Sequence, residues 1–314
     1  SKAQITQDKT VGIVGGGVSG LTIAHDCIKQ GYAATIYEAK TSLGGMLANA
    51  IPRYRLPYQY LQDDLDDILA MGVEVKNNSQ VGKNISWESI KNKHDAIVLA
   101  LGLSKSRDID ISNRAHPDVW LALPFLSKAG NNEDIKVYDE IAIIGGGNVA
   151  VDVARSVIRL GGEKVKMVCL ENEQEMPAWD WEIKEALEEK VEIVHRRGPI
   201  GLEIENNRIT GLNVCKVKQV FDEKGKFNPV YIENQTNIIP CQMVIIAIGQ
   251  QANTGFLKNT DVQLHKNGNI IISPETMSTS SPGVFACGEI VTGPVSAIQA
   301  VSNAHLASKS LINY

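Results

Sequence analysis

Residues 10–39, "TVGIVGGGVSGLTIAHDCIKQGYAATIYEA", decide how the rest of the chain is read. The β-branched run "VGIV" leads into Gly15-x-Gly17-x-x-Gly20, and Leu21, Ala24 and Ile28 follow at helical spacing. A second strand, "AATIYE", closes on Glu38. Each glycine has a separate task. Gly15 permits a tight turn, Gly17 lets backbone approach a pyrophosphate, and Gly20 lets the helix lie close on its strand. The helix N-terminus then faces the phosphates, and Glu38 is placed to accept a ribose hydroxyl. A Gly-rich turn alone would mean little. Strand, glycines, helix, strand and terminal acid in this order predict a dinucleotide site.

Working outward, residues 140–171, "EIAIIGGGNVAVDVARSVIRLGGEKVKMVCLE", repeat the device. Gly145 and Gly147 rebuild the cradle, and Ala150 takes the third position, which tolerates Ala. Val149, Val153 and Val157 share one helix face, and the strand "KVKMVCLE" closes on Glu171. Two complete copies predict two dinucleotides on one chain. A duplicated scaffold with one dead copy is the alternative, although neither copy has lost its glycines or its acid.

Two further runs, "DAIVLALGL" (95–103) and "QMVIIAIGQ" (242–250), read as buried strands ending in small-x-Gly, at Gly102 and Gly249. They suit places where the chain closes a nucleotide domain and crosses to another. Near the C-terminus, "TSSPGVFACGEIVTGPVSAIQAVSNAHLAS" (279–308) places a short strand before Glu289, then Gly293-Pro294 and a helix starting near Val295. A helix N-terminus aimed at a flavin's N1–C2=O edge stabilises the negative charge of the reduced ring, and an acid just past the strand suits the ribityl chain.

These motifs together resemble the flavoprotein pyridine nucleotide-disulfide reductase-like superfamily. Within it the chain is similar to the NAD(P)H-oxidising portion of the glutamate synthase small subunit and dihydropyrimidine dehydrogenase. The discriminating marks are "LGGML…IPRYRLP" (43–57), "GGGNVAVDVAR…RLG" (145–161) and "EMPAWDWEIKEALEE" (175–189). The resemblance runs from about residue 10 to the end. It implies an α/β chain with two Rossmann-like domains, the NAD domain inserted in a split FAD domain. The expected parts are 1–125 and 255–314 for FAD and 126–254 for NAD(P)H. It implies FAD on Gly15, Gly17, Val18, Ser19, Gly20, Glu38, Ala39, Gly45, Met46, Val81, Gly102, Gly288, Glu289, Pro294, Val295 and Ser296. It implies the nicotinamide dinucleotide on Gly145, Gly147, Asn148, Val149, Ala150, Glu171 and Gly249.

The departures are specific. The flavin-domain acid, usually Asp, is Glu289; the usual Pro-Ala of the first cradle is Val18-Ser19; the usual Gly after two acids is Lys190. Relatives carry an N-terminal domain of cysteine motifs for iron–sulfur clusters, and this sequence has none, so a cluster is expected on another polypeptide or on a portion outside this sequence. In the segment "GGMLANAIPRYRLP" (44–57), too proline-broken for one helix, Arg53 and Arg55 meet either a phosphate or acidic partner surface, or serve as interdomain salt bridges.

Bulk properties narrow the field. A length of 314 residues suits about two domains, and 43% hydrophobic with 21% charged content is that of a globular protein. A net charge of −5 offers nothing to nucleic acid or an anionic membrane, and no apolar run approaches a membrane span. The start "SKAQITQDKT" lacks the apolar core of a signal peptide. Five dispersed cysteines (Cys27, Cys169, Cys215, Cys241, Cys287) fit reduced thiols in a cytoplasmic protein, and with six scattered histidines no metal site is expected. Cys287 reads as a buried small residue.

The chemistry expected is hydride transfer from nicotinamide to flavin, which demands positioning more than an acid–base pair. No catalytic dyad stands out. Asp152 either pairs with Arg155 on the helix surface or faces the nicotinamide side. Glu171, Glu173 and Glu175 stand where a 2′-phosphate would need arginine, so NADH is expected over NADPH. The leading expectation is an FAD subunit that oxidises NADH and passes electrons to an iron–sulfur protein, ferredoxin or cluster-bearing subunit within a hetero-oligomer. The alternatives are a free-standing diaphorase or small-molecule reductase, or a non-enzymatic nucleotide-binding subunit.

Overall fold

In the computed structural model, which describes residues 2–314, each glycine cradle sits at the centre of its own parallel sheet. The strand Thr10–Val14 lies between Ala33–Tyr37 and Ala96–Leu99; Glu74–Lys76 and Val284–Ala286 form the edges. The chain first builds to one side of the central strand and then returns on the other. That reversal opens a crevice beyond the strands' carboxyl ends, where α/β sheets bind ligands. The second sheet repeats the order. Glu140–Ile144 lies between Lys164–Val168 and Met243–Ile246, with Glu192–Val194 and Val119–Leu121 at the edges. Apart from its first residue each central strand is wholly buried, as the near-continuous apolar runs of parallel strands require.

The chain divides into two compact units, residues up to Lys105 with Gln251–Tyr314, and Ser106–Gln250. The insertion thus begins earlier than the expected 126, because Val119–Leu121 pairs with Met243–Ile246 of the second sheet. The following helix, Ala122–Gly130, buries Phe125 in that unit's core. The return falls at 250/251, earlier than the expected 254/255.

Each unit has a core on both faces of its sheet. In the first, Ile13, Ile23, Ala24, Ile28, Ala304 and Ala307 pack beneath the helices Val18–Lys29 and Ala297–Ile312. Tyr37, Trp87, Ile90 and Leu257 fill the opposite face. In the second, Ile143, Val153, Val157 and Met167 pack under Asn148–Arg159. The opposite face is covered by an antiparallel sheet of Arg197–Glu205, Arg208–Phe221 and Phe227–Pro240, through Leu202, Leu212, Val214 and Ile239. The sequence reading did not anticipate this sheet.

Two local details bear on the motifs. Residues 44–57 are not a continuous loop, since Gly45–Asn49 forms a short helix before Pro52 interrupts it. Arg53 donates through Nη2 to the Ala48 carbonyl at 2.7 Å and lies over the Tyr58 ring, which ties the segment to itself. Lys190, where the resemblance implies Gly, adopts the left-handed region (φ +67°) just past the helix Asp180–Glu188. No helix among the described residues is long and apolar enough to cross a membrane.

Candidate functional site

The first cradle is built by backbone meeting backbone. The Gly15 N–H donates to the Tyr37 carbonyl at 2.9 Å, which joins the turn to the end of the second strand. Gly15 has φ +108°, and a methyl there would run into the Ala100 carbonyl oxygen. Only glycine fits both demands. Ala100 belongs to the "LALG" end of the neighbouring strand, so this small-x-Gly sequence closes the cradle's floor. The helix Val18–Lys29 begins with no acidic residue in its first turn and no side-chain cap. Its positive end therefore stays available for an anion.

The acid at the end of the second strand turns onto the cradle itself. Glu38 is buried, and its two carboxylate oxygens accept the Gly16 N–H and the Lys40 N–H, each at 2.8 Å. The 44–57 segment closes the other side. The Gly44 N–H donates to the Gly16 carbonyl at 2.8 Å, and a methyl on Gly17 would lie 3.6 Å from the Gly45 Cα. Ser79 reaches the same strand end, donating its N–H to the Glu38 carbonyl at 2.7 Å. Val81, two residues on, is buried beside Val14 and Tyr37, while Ala39 is exposed and Met46 half-buried.

The C-terminal residues converge on the same place. A methyl on Gly288 would meet the Ser19 hydroxyl, and Ser19 Oγ donates to the Ala300 carbonyl at 3.3 Å. Burial raises the Glu289 carboxyl above the ordinary range, against hydrogen bonds from the Val295 and Leu103 backbones. A methyl at Gly102 would lie 3.8 Å from the Glu289 carboxylate. The longer acid thus reaches both the Gly102 loop and the start of the last helix. That helix opens at Ala297 with Ser296 as its cap, in a reciprocal capping box with Gln299. Cys287 beside it is buried, its thiol pushed up to about 12 by burial.

The second cradle reproduces this geometry. Gly145 donates to the Val168 carbonyl at 2.9 Å, has φ +141°, and would run a methyl into the Ala247 carbonyl. Ala247 stands in "IAIG", the counterpart of "LALG", and Gly249 takes φ +104° as Gly102 takes +57°. The helix Asn148–Arg159 also starts without an acid or a side-chain cap. Glu171 Oε2 would lie 3.2 Å from a methyl on Gly146, the same separation as Glu38 Oε2 from one on Gly16. The "EMPAW" motif plays the part of "LGGML". Ala178 donates to the Gly146 carbonyl at 3.2 Å, and Pro177 faces Gly147. The Trp179 N–H is held by Asn148 Oδ1 at 2.9 Å.

Asp152 and Arg155 are not a surface pair. Asp152 is only 4% exposed and Arg155 7%. The Arg155 guanidinium engages Glu185 and Glu189, the latter at 2.8 Å, and Arg159 also reaches Glu189. Hydrogen bonds from Arg159 and Arg155 hold the Glu189 carboxyl below its ordinary range despite some burial.

Four residues beside the second cradle were given no role from the sequence. Arg196 lies beside Glu171 and pairs with Glu175 at 2.9 Å. Pro177, Ala178 and Trp179 form the second cradle's lid, and the signal for them was the motif's position after the acid. Both glycine cradles would be filled by any side chain at Gly15 or Gly145, and both present uncapped helix ends. These residues fit dinucleotide phosphates.

Comparisons with known proteins agree with this geometry. The chain is 33% identical to the NADP(+)-dependent formate dehydrogenase subunit beta of Moorella thermoacetica over 99% of its length, spanning 44% of that protein. It is 31% identical to the NAD-dependent dihydropyrimidine dehydrogenase subunit PreT of Escherichia coli K12, over 97% of this chain and 68% of that one. The fold matches Mycobacterium tuberculosis FprA in complex with NADPH with a TM-score of 0.82 at 15% identity, over 98% of this chain and 84% of that one. The chain spans less than half the length of the formate dehydrogenase subunit and about half that of another relative, a Geobacter sulfurreducens protein. The description "Pyridine nucleotide-disulphide oxidoreductase" matches residues 9–306, and with two dinucleotide cradles on two parallel sheets this chain belongs to that family.

Proposed function

We propose that the chain is the FAD-containing, NADH-oxidising electron-transfer part of a larger reductase, with an iron–sulfur protein or cluster-bearing subunit as electron acceptor. The observation that carries this reading is the duplication: two cradles, each with glycine turn, closing strand, acid and lid, serve two dinucleotides. The names of both similar proteins call them subunits, which supports a place in an assembly.

FAD would lie on Gly15–Gly17–Gly20 and Glu38, with Val18, Ser19, Ala39, Gly45, Met46 and Val81 along it. Gly102, Gly288, Glu289 and 294–296 would take its ribityl and ring end. NADH would lie on Gly145, Gly147, Asn148, Val149, Ala150, Glu171 and Gly249. When bound, FAD supplies hydride acceptance and the onward release of electrons. The chain's own task is to hold and orient. The two helix ends bear on phosphate charge, the acids accept ribose hydroxyls, and Glu289 joins the Gly102 loop to the last helix. The acids at 171, 173 and 175 disfavour a 2′-phosphate and support NADH over NADPH.

The test is an anaerobic titration of the FAD-loaded protein with each coenzyme, followed by addition of the iron-bearing protein that co-purifies from source cells. Flavin bleaching by NADH, about tenfold or more efficient than by NADPH, is expected. Absence of bleaching removes the enzymatic reading. Bleaching without electron transfer to the iron-bearing protein points instead to a free-standing reductase.

A further inference from the structure

The 171–175 turn and Arg196 form a small rigid assembly at the acid of the second cradle. Asn172 Oδ1 accepts the N–H groups of Gln174 and Glu175, each at 3.0 Å, and Glu175 Oε2 accepts the Asn172 N–H at 3.2 Å. This reciprocal turn aims the Glu175 carboxylate at Arg196, whose Nη2 lies 3.0 Å from Oε1 and 2.9 Å from Oε2. Arg196 is equally fixed. It occupies the kink between Glu192–Val194 and Arg197–Glu205 at φ +54°, and its N–H donates to the Glu171 carbonyl at 3.1 Å. Arg197 donates to the Cys169 carbonyl at 2.9 Å, so the kink is pinned on both sides. The second guanidinium nitrogen, Nη1, is buried and meets no acceptor among the described residues.

A cation therefore stands one backbone hydrogen bond from the residue placed to take the ribose, with one carboxylate engaged on it and donor capacity left over. Guanidinium is the group that binds phosphate bidentately. We propose that Glu175 and Arg196 form the coenzyme selector of the second cradle: Glu175 holds the guanidinium that would otherwise take a 2′-phosphate. This rests on the reading that the second cradle holds a nicotinamide dinucleotide. Selectivity then depends on one ion pair as well as on the charge of Glu171. The pair is exchangeable because it is only partly buried, with side-chain exposures of 24% for Arg196 and 32% for Glu175.

The proposal is tested by calorimetric binding of two fragments that differ only at the position in question, 5′-AMP and 2′,5′-ADP. In Glu175→Gln, affinity for 2′,5′-ADP relative to 5′-AMP should rise about tenfold to a hundredfold, the scale of a charge-assisted hydrogen bond. The double variant E175Q/R196Q should return to the wild-type ratio. A ratio in E175Q within about threefold of wild type, in protein that melts normally, overturns the proposal. So does a double variant that keeps the gain, since loss of negative charge alone would then explain it. If E175Q does not fold, E175A reads the same ratio. Wild-type protein that favours 2′,5′-ADP would sink the NADH preference, while the change on substitution still decides the selector. Protein that binds neither fragment overturns both.

Discussion

The two cradles differ less in their construction than in what they present to a ligand. Gly15 and Gly145 make the same 2.9 Å bond to the end of the next strand. Ala100 and Ala247 donate to Val14 and Ile144 at 2.9 and 2.8 Å. A mid-cradle carbonyl, of Gly16 or Gly146, accepts an N–H from a lid segment in each case. Around this shared frame three things vary. The third position is Gly20 in one and Ala150 in the other; the first lid is held by backbone, the second also by Asn148; and Glu38 binds the cradle N–H while Glu171 stands among Glu175 and Arg196. The frame suits a pyrophosphate, which FAD and a nicotinamide dinucleotide share; the variation lies in how closely each helix packs, in what holds each lid and in what surrounds each acid.

The comparison breaks most sharply at the turn glycines. Gly15→Ala and Gly145→Ala each place a methyl against a carbonyl oxygen at positive φ, a strain of about 1–3 kcal/mol before the collision is counted. G15A should purify with FAD content reduced about tenfold or more, and G145A should keep its FAD yet lose reduction by NADH. Flavin absorbance per chain and anaerobic bleaching read the two effects, with melting curves to exclude global unfolding. Equal loss of FAD in both variants would dissolve the division of labour between cradles.

The sequence carried the frame but not its surroundings. Gly15, Gly17, Gly20 and Glu38 are neighbours within one βαβ unit, so spacing alone placed them together. Glu289 was legible because its motif is local, whereas its reach to Leu103 joins segments far apart in the chain. The antiparallel sheet was missed although Asn206 and Asn207, both left-handed at φ +49° and +57°, mark its first hairpin. Register shifts near Pro199, Glu203 and Cys215 interrupt the alternation, and the strand Phe227–Pro240 is mostly exposed, so its pattern lacks a clean apolar face. Asp152 and Arg155 have the i,i+3 spacing of a surface pair, and only the folded chain reveals their burial. Arg196 sits beyond the strand that follows the acid, outside the spacing in which a coenzyme motif is sought.

A smaller effect is expected from exchanging the third position. A methyl at Gly20 would overlap the Gly15 carbonyl, whereas Ala150 already carries one and is fully buried. Gly20→Ala should therefore cost about 1–3 kcal/mol as overpacking and weaken FAD retention. Ala150→Gly should cost only about 1 kcal/mol, the helix-propensity difference, and leave coenzyme affinity nearly unchanged. Urea unfolding and nucleotide titration measure both. If the two exchanges cost the same, the closer packing of the first cradle has no energetic consequence.

The smallest difference expected is in pH dependence, where one acid in each unit has the opposite sign. Burial would raise the Asp26 carboxyl, but hydrogen bonds from His305, at 2.7 Å, and His25 hold it below its ordinary range. A depressed folded pKa contributes stability above the ordinary carboxylate range, and that contribution is lost as pH falls through the folded value. Glu171 is raised, chiefly by burial and further by Glu175, against Arg196. Its contribution is complete below the ordinary range and lost as pH rises through the folded value. Asp26→Asn should thus lower Tm most at neutral pH, with the gap to wild type closing toward about pH 3. Glu171→Gln should raise Tm slightly at neutral pH, with that gap closing toward about pH 4. Both shifts should be on the order of 1 kcal/mol or less. Glu289, raised like Glu171, is present in both variants and in wild type, so mutant-minus-wild-type differences isolate the two acids. If Asp26→Asn instead raised Tm at neutral pH, as Glu171→Gln is expected to, burial and not the His305 contact would set the charge state of Asp26.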